Sequence, residues 1–272
     1  MKELLVRSVS GLVVVGLVLA CICISPFAYA ALLLFIVAVG TFEMARLQRM
    51  DAPVHFVIGE CFSLGAFVTA ALVALRLIAQ QWLFLELLFL MLPFVYALFC
   101  KTNDVRQVFA YVYGSLFFLS LPSAAMLFMY REDWFGTMAG PWLIVSVFCL
   151  LWANDVFAYL TGKLLGKHKL FPRISPGKTI EGSFGGLVFT IIAMVVFAHY
   201  ADWLPISAAI GMAAIAVVFG TLGDLCESML KRQAGVKDSG KLIPGHGGIL
   251  DRFDSVMFSM PFIFVYLYLI LL

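Results

Sequence analysis

Ten of the 34 charged residues in this 272-residue chain fall between Asp224 and Asp254. Asp224 and Glu227 are spaced i, i+3 and Asp224 and Ser228 i, i+4, so on a helix they share a face. Lys231, Arg232, Lys237 and Lys241 follow on what reads as a loop, and Pro244-Gly245-His246-Gly247-Gly248 forms a tight, Cβ-poor turn. Asp251, Arg252 and Asp254 then open the next apolar run. Hard divalent cations such as Mg²⁺ take carboxylate oxygens and usually share the ion with substrate phosphates. Lys and Arg neutralise the remaining phosphate charge, and glycine-rich backbone can present N–H groups at close range. Acids, cations and a glycine turn in this order are the parts of phosphoryl or nucleotidyl transfer.

Two earlier clusters belong to the same inventory. In "LWANDVFAYLTG", residues 151–162, the positions Asp155, Tyr159 and Gly162 share one helix face with Asn154 beside them. An Asn-Asp pair in so apolar a stretch is costly unless it meets water, a metal or a partner. In "GKHKLFPRISPGKTIEGSFGG", residues 166–186, Lys167, Lys169, Arg173 and Lys178 flank a Pro-Gly turn near Ser175, and Thr179 and Glu181 open the next helix. Cations beside a helix N-terminus suit phosphates. The "GKT" is not a P-loop, because Pro172 stands where that motif requires glycine. The chain also lacks HExxH, GxSxG and a zinc-type Cys/His set, which removes the usual parts of protease and simple hydrolase chemistry.

The elements that carry these clusters must lie in a membrane. Hydrophobic residues make up 63% of the chain and charged residues 12%, with a mean hydropathy of +1.04; soluble domains have about half and a quarter. Long unbroken apolar runs without alternation specify helices, since lipid leaves no other open structure satisfied. Nine spans are expected near 5–24, 27–45, 54–75, 82–99, 108–130, 141–162, 180–200, 205–226 and 253–272, in one all-α polytopic domain. With the N-terminus inside, sixteen of eighteen basic residues lie on the cytoplasmic side and only Arg76 and Arg131 outside, which predicts N-in and C-out. Residues 1–135 read as scaffold and 141–272 as the catalytic spans and loops. The first 25 residues have the charge and apolar core of a secretory signal, but cleavage would remove a span, so a first membrane helix is expected. The six cysteines read as small apolar packers. Glu43, Glu60 and Glu86 are the ionisable groups of the early spans; Glu43, near the cytoplasmic end of span two, is the best functional candidate among them.

"SMLKRQAGVKDSGKLIPGHGGILDRFDS", residues 228–255, resembles the signature of the phosphatidate cytidylyltransferase (CDP-diacylglycerol synthase) family. "SPGKTIEG", residues 175–182, and the set Trp152, Asn154, Asp155, Tyr159, Gly162 are similar to two further motifs of that family. The resemblance implies CTP and phosphatidate as substrates, CDP-diacylglycerol and pyrophosphate as products, a Mg²⁺ requirement, and a place in the cell membrane with the site on its cytoplasmic side. On that reading Asp224 and Asp251 are the first metal ligands, with Asp254 and Asp155 as second choices or supports. Lys178, Lys231, Arg232, Lys237, Lys241 and Arg252 hold phosphates with Ser175, Gly247 and Gly248, and His246 donates a hydrogen bond to a phosphate or serves as an acid. Asn154, Tyr159, Glu181 and Glu227 are supporting polar groups. The alternatives are a polyprenol kinase or ether-lipid enzyme of the same superfamily and, in another class, an ion-coupled transporter. No nucleic-acid partner is expected; a homodimer and a lone subunit are both compatible with the sequence.

Overall fold

The computed structural model describes residues 2–50, 53–100 and 105–271, without the side chains of residues 2–5, 137 and 271. Its main helices are α1 (Lys2–Ile24), α2 (Pro26–Leu47), α3 (Pro53–Ala74), α4 (Leu85–Phe99), α5 (Val105–Ser115), α6 (Leu121–Phe128), the short α7 (Glu132–Phe135), α8 (Pro141–Leu165), α9 (Ile180–Tyr200), α10 (Ile206–Gln233) and α11 (Leu250–Leu271). Among the described residues nine helical stretches are long and apolar enough to cross a membrane, from Val6–Ile24 to Leu250–Ile270. They match the nine runs expected from hydropathy, and the protein is a multi-pass helical membrane protein. A 3₁₀ turn at Gln80–Phe84 leads into α4, and a π-helical turn at Leu116–Ser120 joins α5 to α6 within one span.

Helix boundaries follow local chemistry. Proline opens α2 and α8, where a missing N–H costs nothing. Ser25 caps α2 by accepting the Ala28 amide at 3.0 Å, and Thr179 caps α9 by accepting that of Gly182 at 3.1 Å. Two details differ from expectation. Helix α10 runs on to Gln233, so Lys231 and Arg232 sit in its last turn and not on a loop; the polar residues there continue the helical period after the hydropathy has fallen. The segment before α9 contains an antiparallel hairpin, β1 (Lys169–Phe171) with β2 (Ser175–Thr179), pairing Lys169 with Thr179 and Phe171 with Ser175.

The chain forms two compact units. One comprises Met1–Phe128 with Gln233–Phe253, the other Met129–Arg232 with Asp254–Leu272. In the first, Tyr29, Ile36, Phe67, Tyr111 and Leu119 are buried, and a hydroxyl chain crosses between helices: Thr41 to Ser63 at 3.0 Å and Ser63 to Ser120 at 2.7 Å. In the second, α8 packs closely on α9 through Gly162, Gly182, Gly185 and Gly186; a Cβ on Gly186 would lie 2.5 Å from Asn154 Oδ1 and 3.0 Å from the Ala158 Cβ. Gly220 and Gly223 do the same for α10: a Cβ on Gly223 would lie 2.5 Å from the Phe258 Cβ and 2.8 Å from the Asp254 carbonyl oxygen. The cysteines correct the packing expectation in part, because Cys23, Cys61 and Cys149 are exposed on the helix surfaces.

Candidate active site

Gly223 is the reason the acids of the second unit can meet. With no side chain beside Asp224, α11 comes close enough for Asp254 to stand by Asp224 and Glu227, and one carboxylate oxygen from each lies within 4.8 Å of the others. Asp224 Oδ1 accepts from Ser228 Oγ at 3.2 Å, so the i, i+4 pair read from the sequence is formed. Two lysines answer the charge: Lys178 pairs with Asp224, and Lys231 pairs with Glu227 one helical turn away. Glu227 is 1% exposed and Lys231 9%. Three carboxylates so close together repel one another strongly unless cations hold them, and an all-oxygen donor set is the kind that hard divalent ions take. The residues present therefore fit a Mg²⁺-type ion, with Asp224, Glu227 and Asp254 as the groups that would hold it.

Lys178 also lines a cavity of about 410 Å³ walled by α8, the hairpin and the start of α9. Asn154, Asp155, Tyr159, Gly162, Ser175 and Thr179 line the same space, which joins two sequence clusters that are some twenty residues apart. Asn154 is 5% exposed, and its Oδ1 has no hydrogen-bond partner among the described residues. A buried carbonyl oxygen left this way is costly unless a ligand or water completes it. Lys169, one of the loop cations named from the sequence, also lines the cavity, as do Lys163, Ser183 and Thr221, which the sequence reading missed. Lys163 was findable, lying i+4 from Tyr159, with its ammonium 6.0 Å from that ring centre. Glu181 faces backward and closes the hairpin's entry, accepting the amides of Lys167 at 3.0 Å and His168 at 3.1 Å.

Further along the same two helices is a second, apolar cavity of about 240 Å³, lined by Trp142, Cys149, Ala153, Thr190, Ala193 and Phe197 among others. Ala153 of this lining is the chain neighbour of Asn154 in the polar one.

The remaining candidates belong to the first unit. Asp251 is buried, and its Oδ2 accepts from Ser239 N at 2.8 Å, Ser239 Oγ at 2.9 Å and Gly248 N at 2.7 Å. Gly245 and Gly247 have φ of +75° and +86°, a left-handed backbone that explains glycine at both. His246 Nδ1 lies 2.9 Å from Ser10 Oγ, which also donates to the Pro244 carbonyl at 2.8 Å. Burial, with Arg252 and Arg7 nearby, holds the His246 imidazole below its ordinary pKa, which favours the neutral ring. Lys237, Lys241 and Arg252 are exposed, as is Arg232 of the other unit. Glu43, which the sequence singled out only as the best of the early acids, is buried and accepts from Ser239 Oγ at 2.8 Å, Ile249 N at 3.1 Å and Leu250 N at 2.9 Å. No spacing rule could pair it with residues about 200 positions away.

A multi-pass helical protein with clustered carboxylates, lysines set against them and a polar cavity alongside has the build of a membrane enzyme working on phosphates. The chain belongs to the cytidylyltransferase family, whose model matches residues 5–270. It is similar to the phosphatidate cytidylyltransferase of Staphylococcus haemolyticus, 39% identical over 204 residues covering 72% of this chain and 76% of the relative. The phosphatidate cytidylyltransferase of Staphylococcus epidermidis is 38% identical over 67% of this chain and 70% of its own length. That of Staphylococcus aureus is 51% identical over a shorter stretch, 43% of this chain and 46% of the relative.

Proposed function

We propose that this protein forms CDP-diacylglycerol and pyrophosphate from CTP and phosphatidate at the cytoplasmic face of the plasma membrane, with Mg²⁺ as its ion. The observation that carries the reading is the joining of Asp224, Glu227 and Asp254 beside Lys178, which itself reaches the cavity lined by Asn154, Asp155, Tyr159 and Ser175. A phosphatidate phosphate oxygen attacks the α-phosphorus of CTP in line, forming the new P–O bond as the bond to pyrophosphate breaks. The nucleophile is already anionic near neutral pH, so no side chain has to be activated. When bound, Mg²⁺ supplies charge neutralisation at the phosphates.

The protein's own part is positioning and charge placement. Lys178 faces both the acidic cluster and the cavity, which suits holding a phosphate against the metal-binding carboxylates. Lys231 keeps Glu227 in place from the next turn. Lys237, Lys241, Arg232, Arg252 and His246 retain the phosphate-holding roles assigned from the sequence, supported by their charge or polarity and, for the four cations, by exposure. Asp251 stays a candidate metal ligand, held within the first unit by Ser239 and Gly248. The apolar cavity, between α8 and α9 and with Ala153 next in the chain to Asn154 of the polar one, suits an acyl chain of the lipid. The homodimer considered from the sequence is not supported by these observations.

The test is release of radiolabelled pyrophosphate from CTP by the purified protein, with the lipid product identified. Release that needs both phosphatidate and Mg²⁺, with CDP-diacylglycerol formed in equal amount, supports the reading. Transfer of the CTP γ-phosphate to a polyprenol, with CDP as the other product, or no pyrophosphate release with any lipid, overturns it.

A further inference from the structure

We infer that Glu43 is a positioning residue for the segment 239–251, acting through Ser239 and the N-terminal amides of α11 to fix Asp251 and the glycine turn. This role deepens the proposed cytidylyl transfer and rests on it only for the kinetic arm of the test.

Glu43 is near the cytoplasmic end proposed for α2, and it is 3% exposed. An unsolvated carboxylate is costly unless donors replace its water. Three do: Ser239 Oγ at 2.8 Å and Leu250 N at 2.9 Å to Oε2, and Ile249 N at 3.1 Å to Oε1. Two of these are first-turn groups at the start of α11, where helix ends leave N–H groups unpaired and the dipole favours an anion. The glycines around it make room for this carboxylate. A Cβ at Gly240 or Gly248 would collide with Glu43 Oε1, and at Gly248 also with Ser239 Oγ and Glu43 Oε2. One of the two glycines after His246 is thus explained by a side chain of this protein.

The connection to Asp251 is a shared hydroxyl. Ser239 Oγ lies 2.8 Å from Glu43 Oε2 and 2.9 Å from Asp251 Oδ2 and has one proton to give. Asp251 Oδ2 also takes the Ser239 and Gly248 amides at 2.8 and 2.7 Å. Two acids from different helices therefore grip the same serine and the amides at 239 and 248–250. If Glu43 loses one acceptor oxygen, the serine is released to Asp251 alone and an amide at the start of α11 loses its partner. Asp251 then keeps its charge and loses its fixed direction.

The experiment compares Glu43→Gln and Ser239→Ala with wild type in the full chain, reconstituted in lipid. Amide hydrogen exchange of residues 239–251 is read in protein without added metal. Turnover, the KM values and the Mg²⁺ midpoint are then measured. Expected for Glu43→Gln is exchange at least several-fold faster, confined to that segment. Its kcat should fall about 10- to 100-fold and its Mg²⁺ midpoint rise, as for groups that orient a ligand, with the phosphatidate KM within twofold of wild type. Ser239→Ala, which keeps both acids, should move the same quantities in the same direction by less. Unchanged exchange in the segment for either folded variant overturns the inference, as does an activity loss matched only by loss of folded protein. If Glu43→Gln fails to fold, Ser239→Ala decides. If wild type makes no CDP-diacylglycerol, the proposed reaction fails while the exchange arm still judges Glu43.

Discussion

Asp224 and His246 test the chemistry one side chain at a time. Asp224 sits between Ser228 and Lys178 and within reach of Glu227 and Asp254, so Asp224→Asn removes a charge from the place where a cation fits best. We expect kcat/KM to drop about 100-fold or more, as when a charge-stabilising group is deleted, with unfolding temperature little changed; pyrophosphate release and thermal unfolding on one preparation check both halves. His246 tests pH. Its folded pKa lies below the ordinary value of 6.5 because of burial and two arginines, Arg252 and Arg7, so folding favours the neutral ring. That contribution is complete above the unfolded pKa and is lost as pH falls through the folded one. Acidification should therefore loosen the turn, seen as lower amide protection in residues 243–249, relative to the intrinsic exchange rate at each pH, as pH falls, and His246→Gln should flatten the dependence.

At the scale of elements, the close approach of α8 and α9 is the feature to break. Gly186→Val would press a branched side chain onto Asn154 and Ala158, and overpacking of this kind costs about 1–3 kcal/mol. The expected outcome is a lower unfolding temperature together with weaker substrate binding, because Asn154 lines the cavity that both helices wall. The element scale also shows what a sequence can and cannot say. Nine spans were legible because hydrocarbon demands long apolar helices, and that demand is written residue by residue. The hairpin was not, since strands of three and five residues in a Lys- and Pro-rich loop carry no usable period. Asp224, Glu227 and Asp254 were all visible as acids at span ends. Their meeting depended on Gly223, whose value lies in the neighbour it admits, and Glu43 lacked any local mark of its distant partners.

For the molecule as a whole, the proposed orientation in the membrane rests on the asymmetry of basic residues. If sixteen of the eighteen lie inside, a single cysteine introduced at the exposed Lys237 in a cysteine-free background should react with an impermeant reagent only from the cytoplasmic side, and one at the exposed Arg76 only from the other; the reverse pattern would invert the proposed topology. The grip of Glu43 and Asp251 on residues 239–251 has a thermodynamic side as well. Those amides are already paired within the protein, so the segment takes its shape before any nucleotide arrives. If this segment holds the triphosphate as proposed, binding has little chain entropy left to remove there, and more of the contact energy is left over as affinity.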